Sequence, residues 1–142
     1  MNIVLDASVD IKWFFRSPDN EDDIDAALAL LRGVSDGRLR LMEPPHFVTE
    51  VSAVLAREAP SMAKSWVANL LEIEMAHVDG KAVLHRAVDL SIRLDHHLFD
   101  TLYHAVALET PDALLVTADE RYYRKANRAG RIVRLADFDT VR

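Results

Sequence analysis

Ile3-Val4-Leu5-Asp6 and Leu114-Leu115-Val116-Thr117-Ala118-Asp119 are the stretches that decide the fold. Each is a short apolar run lacking the polar alternation of a half-exposed strand, as expected of a strand covered on both faces, and each runs into an aspartate. Strands of that kind belong to parallel sheets, whose neighbouring strands need long, usually helical, connections. The intervening sequence has helical periodicity. The pattern predicts strand 2–6, helix 7–15, helix 22–33, strand 39–42, helix 45–57, helix 61–74, a short strand near 75–78, helix 80–95, helix 100–110, strand 114–117, helix 120–129 and strand 132–135. This strand and helix alternation implies an α/β fold of three layers, a short parallel central sheet flanked by helices. Several boundaries carry their own signals. Asp6 and Asp119 can cap the helices that follow them, Pro44-Pro45 precedes another helix, Ser61 can cap the next, and Gly130 is a natural helix terminator.

At 142 residues, half of them apolar, the chain is long enough to bury roughly two-thirds of its unfolded surface, so a single domain spanning 1–142 is expected. The absence of cysteine excludes disulfides, zinc ribbons and thiol nucleophiles, and is compatible with a reducing cytosol. No stretch reaches the apolar length of a membrane span, and Asp6 comes too early for a signal peptide, so a soluble cytoplasmic protein is expected. The net charge of -6, from 23 acids and 17 bases, argues on its face against a polyanionic partner. The distribution softens that. Five acids lie within Asp19 to Asp25, whereas Arg121, Arg124, Lys125, Arg128, Arg131 and Arg134 gather near the end, where they form either a solvated face or a phosphate-binding surface.

Asp6 and Asp119 would lie just past the carboxyl ends of buried strands, where open α/β sheets place their ligands. Glu50, in Phe47-Val48-Thr49-Glu50-Val51, and Asp100, in Phe99-Asp100-Thr101-Leu102-Tyr103, interrupt amphipathic helical segments beside the apolar stripe. A carboxylate near a core has to be paired, protonated or metal-bound. Capping explains Asp6 and Asp119 singly, and a favourable contact with the helix dipole explains Asp100. Capping does not explain why two acids at strand ends accompany two at apolar helix margins. The conjunction favours a shared metal site made of Asp6, Glu50, Asp100 and Asp119.

The segments Ile3-Val4-Leu5-Asp6-Ala7-Ser8 with Lys12-Trp13-Phe14, the Pro45 to Glu50 helix, Phe99-Asp100-Thr101-Leu102-Tyr103-His104-Ala105-Val106-Ala107 and Leu115-Val116-Thr117-Ala118-Asp119-Glu120-Arg121 resemble the PIN-domain ribonucleases, in particular the VapC-type toxins of bacterial toxin-antitoxin pairs. The resemblance covers nearly the whole chain. It implies a PIN-like three-layer fold and hydrolysis of RNA phosphodiesters by a metal-activated water, leaving 5′-phosphate and 3′-hydroxyl ends. It further implies a VapB-type antitoxin whose C-terminal segment wraps the toxin, and a homodimer. Family members often carry Asn three residues after the helical Glu; here that residue is Ala53, which removes an amide near the site without touching the four acids.

Mg²⁺ or Mn²⁺ suits such a carboxylate set, because hard cations take oxygen ligands. Ser8 and Thr117 are candidate supports that hydrogen-bond the acids or the attacking water. Arg121, Arg124, Lys125 and Arg128 are candidate RNA contacts. His96-His97, read as neighbours on a helix, would not face one another and make an awkward ion site. For His104, four residues after Asp100, a surface or packing role is the better reading, with phosphate contact the alternative. Trp13, Phe14, Phe15 and Trp66 read as core or partner-contact residues. Two further functional readings stand beside the toxin: a non-toxin PIN-domain nuclease of RNA processing, and an aspartyl-phosphate phosphotransferase or receiver-like module. The last commonly needs a second Asp two residues after the first, where this chain has Ser8.

Overall fold

The computed structural model describes residues 1–15 and 21–141. Five strands, β1 (Asn2–Leu5), β2 (Arg40–Glu43), β3 (Met75–His77), β4 (Ala113–Thr117) and β5 (Ile132–Arg134), form one parallel sheet in the order β3-β2-β1-β4-β5. Ile3, Val4 and Leu5 are consecutive and all inaccessible. Successive strand residues point to opposite faces, so β1 is covered on both sides, as the unbroken apolar run predicts. The helices supply those covers, and the fold is a three-layer α/β/α arrangement. They are α1 (Ala7–Asp10), α2 (Glu21–Ser35), α3 (Phe47–Glu58), α4 (Ala63–Leu71), α5 (Lys81–Leu94), α6 (Leu98–Glu109) and α7 (Glu120–Ala126).

The chain leaves β1 for β2 and β3 on one side, then returns past β1 to β4 and β5 on the other. The carboxyl ends of β1 and β4 therefore flank the point where strand order reverses, the crevice that such sheets use for ligands. Their register, Asn2 opposite Ala113 through Leu5 opposite Val116, brings Asp6 level with Thr117.

Element type matches the sequence reading throughout the described residues, and the differences lie at the ends. Helix 7–15 is α-helical only to Asp10 and continues as a 3₁₀ turn, Ile11–Trp13. Ser61 does not cap the fourth helix: α4 begins at Ala63, with Met62 in the cap position and no side-chain capping bond. Helix 100–110 starts earlier, at Leu98 after His97. A terminal 3₁₀ stretch, Leu135–Val141, was not expected from periodicity. Gly130 does terminate the 3₁₀ turn Asn127–Ala129, at φ 83°, where a residue without Cβ is unstrained. Of the acidic run, Asp19 lies outside the described residues.

Helices α5 and α6 are joined at their buried seam by Thr101, whose hydroxyl donates to the Ala87 carbonyl at 2.8 Å and to that of Leu98 at 3.1 Å. Thr101→Val keeps the volume and removes the donor. It is expected to cost about 1 kcal/mol in a urea unfolding titration; no loss would show that the seam is held by apolar packing alone.

Candidate active site

The crevice is built outward from Asp6. Its backbone is extended (φ -81°, ψ 169°), and its side chain caps α1 by accepting the Ser8 N–H at 3.0 Å. The Ser8 hydroxyl donates to the same oxygen, Oδ1, and the Thr117 hydroxyl donates to Oδ2. The Ser8 hydroxyl in turn accepts the Ala118 N–H at 3.0 Å, and the Thr117 hydroxyl accepts that of Asp119 at 3.0 Å. Ser8 and Thr117 thus tie the ends of β1 and β4 together through one carboxylate. Burial lifts the Asp6 carboxyl to about 6; the two hydroxyls oppose the shift and the charge of Asp119 adds to it.

Asp119 caps α7, accepting the Tyr122 N–H at 3.0 Å. Asp100 stands in the first turn of α6, its side chain 37% exposed. One ligand atom each from His96, Asp100 and Asp119 fits within 4.8 Å of the others, which makes this the group that can enclose an ion among the described residues. Glu50 is not in that group. Its carboxylate, 32% exposed on the flank of α3, lies 3.4 Å from His46 Nε2. That nitrogen also donates to the Phe99 carbonyl at 2.9 Å and so links the Glu50 helix to the Asp100 helix. The buried Tyr103 is close to these acids, its phenol pushed up first by burial and then by the charges of Glu50, Glu43 and Asp6. Asp100 and Asp119 therefore stand together with His96, Asp6 lies within electrostatic reach of Asp119, and Glu50 stays outside that group.

Two acids escaped the sequence reading. Glu43 ends β2 and is inaccessible; its Oε1 accepts the Leu5 N–H at 2.7 Å, and its Oε2 has no partner among the described residues. The side chain takes an N–H that lies past the last β1–β2 register pair, Ile3 opposite Leu41. Asp10 is equally buried, with neither oxygen partnered. Desolvation holds the Glu43 carboxyl well above its ordinary range and the Asp10 carboxyl up to about 8. Glu43 carried the signal used for Asp6 and Asp119, an acid closing an apolar strand. Asp10 carried another, an acid between Val9 and Ile11 in a helix that opens on a buried face.

The remaining candidates divide. His96 and His97 lie between α5 and α6, not on a helix as the sequence reading had it, their rings 6.1 Å apart edge to face. His97 is exposed, whereas the His96 side chain is 7% exposed, with Nε2 2.8 Å from Asp100 Oδ2. His104 is a packing residue: it is inaccessible, accepts the Tyr122 hydroxyl at Nδ1 (3.0 Å) and donates from Nε2 to the Gly130 carbonyl (2.8 Å). Burial lowers its titration. Of the basic residues, Arg121, Arg124 and Arg128 are exposed on and beyond α7. Lys125 instead turns inward, with Nζ 3.0 Å from the Asp95 carbonyl and 3.3 Å from His96 Nδ1. Arg131 donates to the carbonyls of Ala107 and Thr110, and Arg134 pairs with Asp137 at 2.8 Å.

The architecture and the acidic crevice define a class, the α/β nucleases that work through divalent metal. A model of the PIN domain family matches residues 3–128, and the chain belongs to that family. Members are metal-dependent nucleases acting on RNA. No curated protein matches the chain. The donor set fits a hard divalent cation: the carboxylates of Asp100 and Asp119 come together, and a nearby cation would offset the desolvation and the charge of Asp119 that raise the titration of the buried Asp6.

The folded Asp10 value of about 8 lies above the roughly 3.9 of an exposed aspartate. The contribution of its protonated form to stability is therefore complete below the lower value and is lost as pH rises to the higher one, at about 1.4 kcal/mol per pH unit. Asp10→Asn should flatten the decline of unfolding free energy between pH 5 and 8 in EDTA. An identical slope in the two proteins would mean that Asp10 is not buried as a neutral acid.

Proposed function

We propose that this chain, acting as one PIN-like unit over residues 1–142, is an endoribonuclease using Mg²⁺ or Mn²⁺ and the toxin of a toxin-antitoxin pair in the cytoplasm. The observation that carries the nuclease reading is the close approach of Asp100 and Asp119 on a PIN fold, with the buried Asp6 at the end of β1 feeling the charge of Asp119. Asp6, Asp100 and Asp119 hold the cation, and Glu50 reaches it or a bound water from the α3 side. The bound cation supplies neutralisation of the charge that builds on the phosphate, and acidifies a water for attack. Ser8 and Thr117 keep the Asp6 carboxylate oriented by donating to both of its oxygens. Arg121, Arg124 and Arg128 offer phosphate contacts beside the acids, so RNA meets a local field unlike the net charge of -6.

Two surfaces support the partner reading. Trp13, Phe14, Leu31, Trp66, Leu70 and Ile73, together with Ser35 and Asn69, line a groove of mixed polarity in which Phe14 stacks on Trp66 at 5.5 Å; this groove suits the antitoxin's wrapping segment. Leu84, Val88 and Ile92 form an exposed stripe at helical spacing on α5, with Ile92 75% exposed. Lys81 and Asp95 flank it at either end, so an antiparallel copy of α5 would set each lysine against the other chain's aspartate; this is the face proposed for the homodimer. Among the described residues no helix is long and apolar enough to cross a membrane.

Asp100→Asn keeps the shape of the side chain and removes the charge. RNA cleavage by the purified protein should vanish in this variant and in wild type treated with EDTA. In melts without metal the variant should stay within about 1 kcal/mol of wild type, as for other active-site acids. Mn²⁺ should then raise the wild-type midpoint by mass action, and the variant's by less. Undiminished cleavage by Asp100→Asn would end the metal-nuclease assignment.

Neutralising Arg121, Arg124 or Arg128 singly should weaken binding about equally across RNA sequences and lower the salt slope by somewhat less than one unit each. Lys125, already engaged with Asp95 and His96, should alter the slope less. Equal slopes in all four variants and wild type would place RNA elsewhere.

A further inference from the structure

The reading above leaves unexplained why a lysine and a histidine are packed behind Asp100. Lys125 Nζ donates to the Asp95 carbonyl at 3.0 Å and lies 3.3 Å from His96 Nδ1. An ammonium has three donors and no acceptor, so Nδ1 is the accepting nitrogen and carries no hydrogen. The hydrogen of the ring is then on Nε2, aimed at Asp100 Oδ2 2.8 Å away. An imidazolium would point an N–H at the ammonium, and the opposite neutral tautomer would do the same, so the contact selects one form of the ring. The ring is also held in place. His96 N–H bonds the Ser91 carbonyl at 3.1 Å, the Ser91 hydroxyl bonds the His96 carbonyl at 2.5 Å, and the ring lies 4.8 Å from that of Tyr122.

His96 Nε2 falls within 4.8 Å of carboxylate oxygens of Asp100 and Asp119, which by distance alone would make it a metal ligand. A nitrogen bearing hydrogen has no lone pair to give. A ligating histidine also directs its other N–H to a carboxylate, carbonyl or water, whereas this ring's other nitrogen faces a donor. We propose that Lys125, His96 and Asp100 form a hydrogen-bonded relay in which Lys125 and Asp100 together fix the His96 tautomer and His96 orients the Asp100 carboxylate, making His96 a positioning residue of the site and not a ligand of its ion. The proposal rests on the metal-nuclease reading for the role of Asp100, but the relay is a property of the protein without metal. It assigns one Asp100 oxygen to His96 and leaves the other for the cation. It also accounts for a lysine of the basic segment turning away from solvent.

Imidazole ¹⁵N–¹H correlation spectra of the full chain report the tautomer directly. Wild type should show the Nε2–H form of His96 both in EDTA and with saturating Mg²⁺; Lys125→Met should keep it, because Asp100 still accepts from Nε2, and only the double variant Lys125→Met/Asp100→Ala should lose the preference. Mg²⁺ titration calorimetry gives the second measurement. His96→Ala should lose about 10-fold in affinity, and His96→Gln, whose amide can still donate to Asp100, should recover most of it. An Nδ1–H ring whose Nε2 resonance moves on Mg²⁺ addition would make His96 a ligand and overturn the relay, as would an unaltered Nε2–H preference in the double variant or equal losses in the Ala and Gln variants. Failure of the metal reading is distinguishable, because Mg²⁺ would then bind wild type and Asp100→Asn alike. The tautomer in EDTA would still decide the relay.

Discussion

The pairing of β1 with β4 is the constraint on which the site depends. Its register, Leu5 opposite Val116, sets the last residues of two strands more than a hundred positions apart side by side, and the next residues on each strand carry the carboxylate and the hydroxyl that join them. Asp6 is then at once the cap of α1, the acceptor for Ser8 and Thr117, and the floor of the crevice. A slip of one residue would turn the inward and outward faces of β1 over and send Asp6 away from Thr117. Because Ile3, Val4 and Leu5 are buried on both faces, the helical layers on either side hold that register in place.

Gathering acids at the end of a buried strand opposes folding. The acids that burial reaches, Asp6, Asp10 and Glu43, all have their titration raised, and desolvation is the first cause in each case. Asp6 is compensated by two hydroxyl donors and a backbone N–H, Glu43 by one backbone N–H. Asp10 has no such partner among the described residues. The crevice therefore combines a well-supported acid, where the chemistry is proposed, with poorly supported ones beneath it. Stability is lower than an apolar floor would provide, as is common at functional sites.

The basic residues near the end of the chain are not one surface. Arg131 closes the carboxyl end of α6 by bonding two of its orphan carbonyls, Arg134 pairs with Asp137 and lies over the Tyr123 ring at 5.0 Å, and Lys125 turns toward His96. Arg121, Arg124 and Arg128 are exposed on and beyond α7. A count of charges along the sequence overstates the field available to RNA and misses that Arg131 and Lys125 join α6 and α7 to their neighbours.

The sequence by itself determined the run of strands and helices and the parallel sheet, because these follow from local signals, unbroken apolar runs and helical periodicity, and the PIN family match and the sheet order agree with that fold. The same reading singled out four acids as candidates, from carboxylates where packing does not call for them. It misplaced what depends on a competing partner, such as the Ser61 cap, since a cap is decided by which side chain the folded backbone offers to free N–H groups. It passed over Glu43 and Asp10, whose burial comes from helices and strands distant in sequence. Only the tertiary structure decided that Asp100 and Asp119 stand together with His96, set His46, beside Glu50, against the Phe99 carbonyl, and put Lys125 and Asp100 on either side of one imidazole. Those relations join α3, α6, α7 and the turn between α5 and α6, and no periodicity within a single segment encodes a contact between segments.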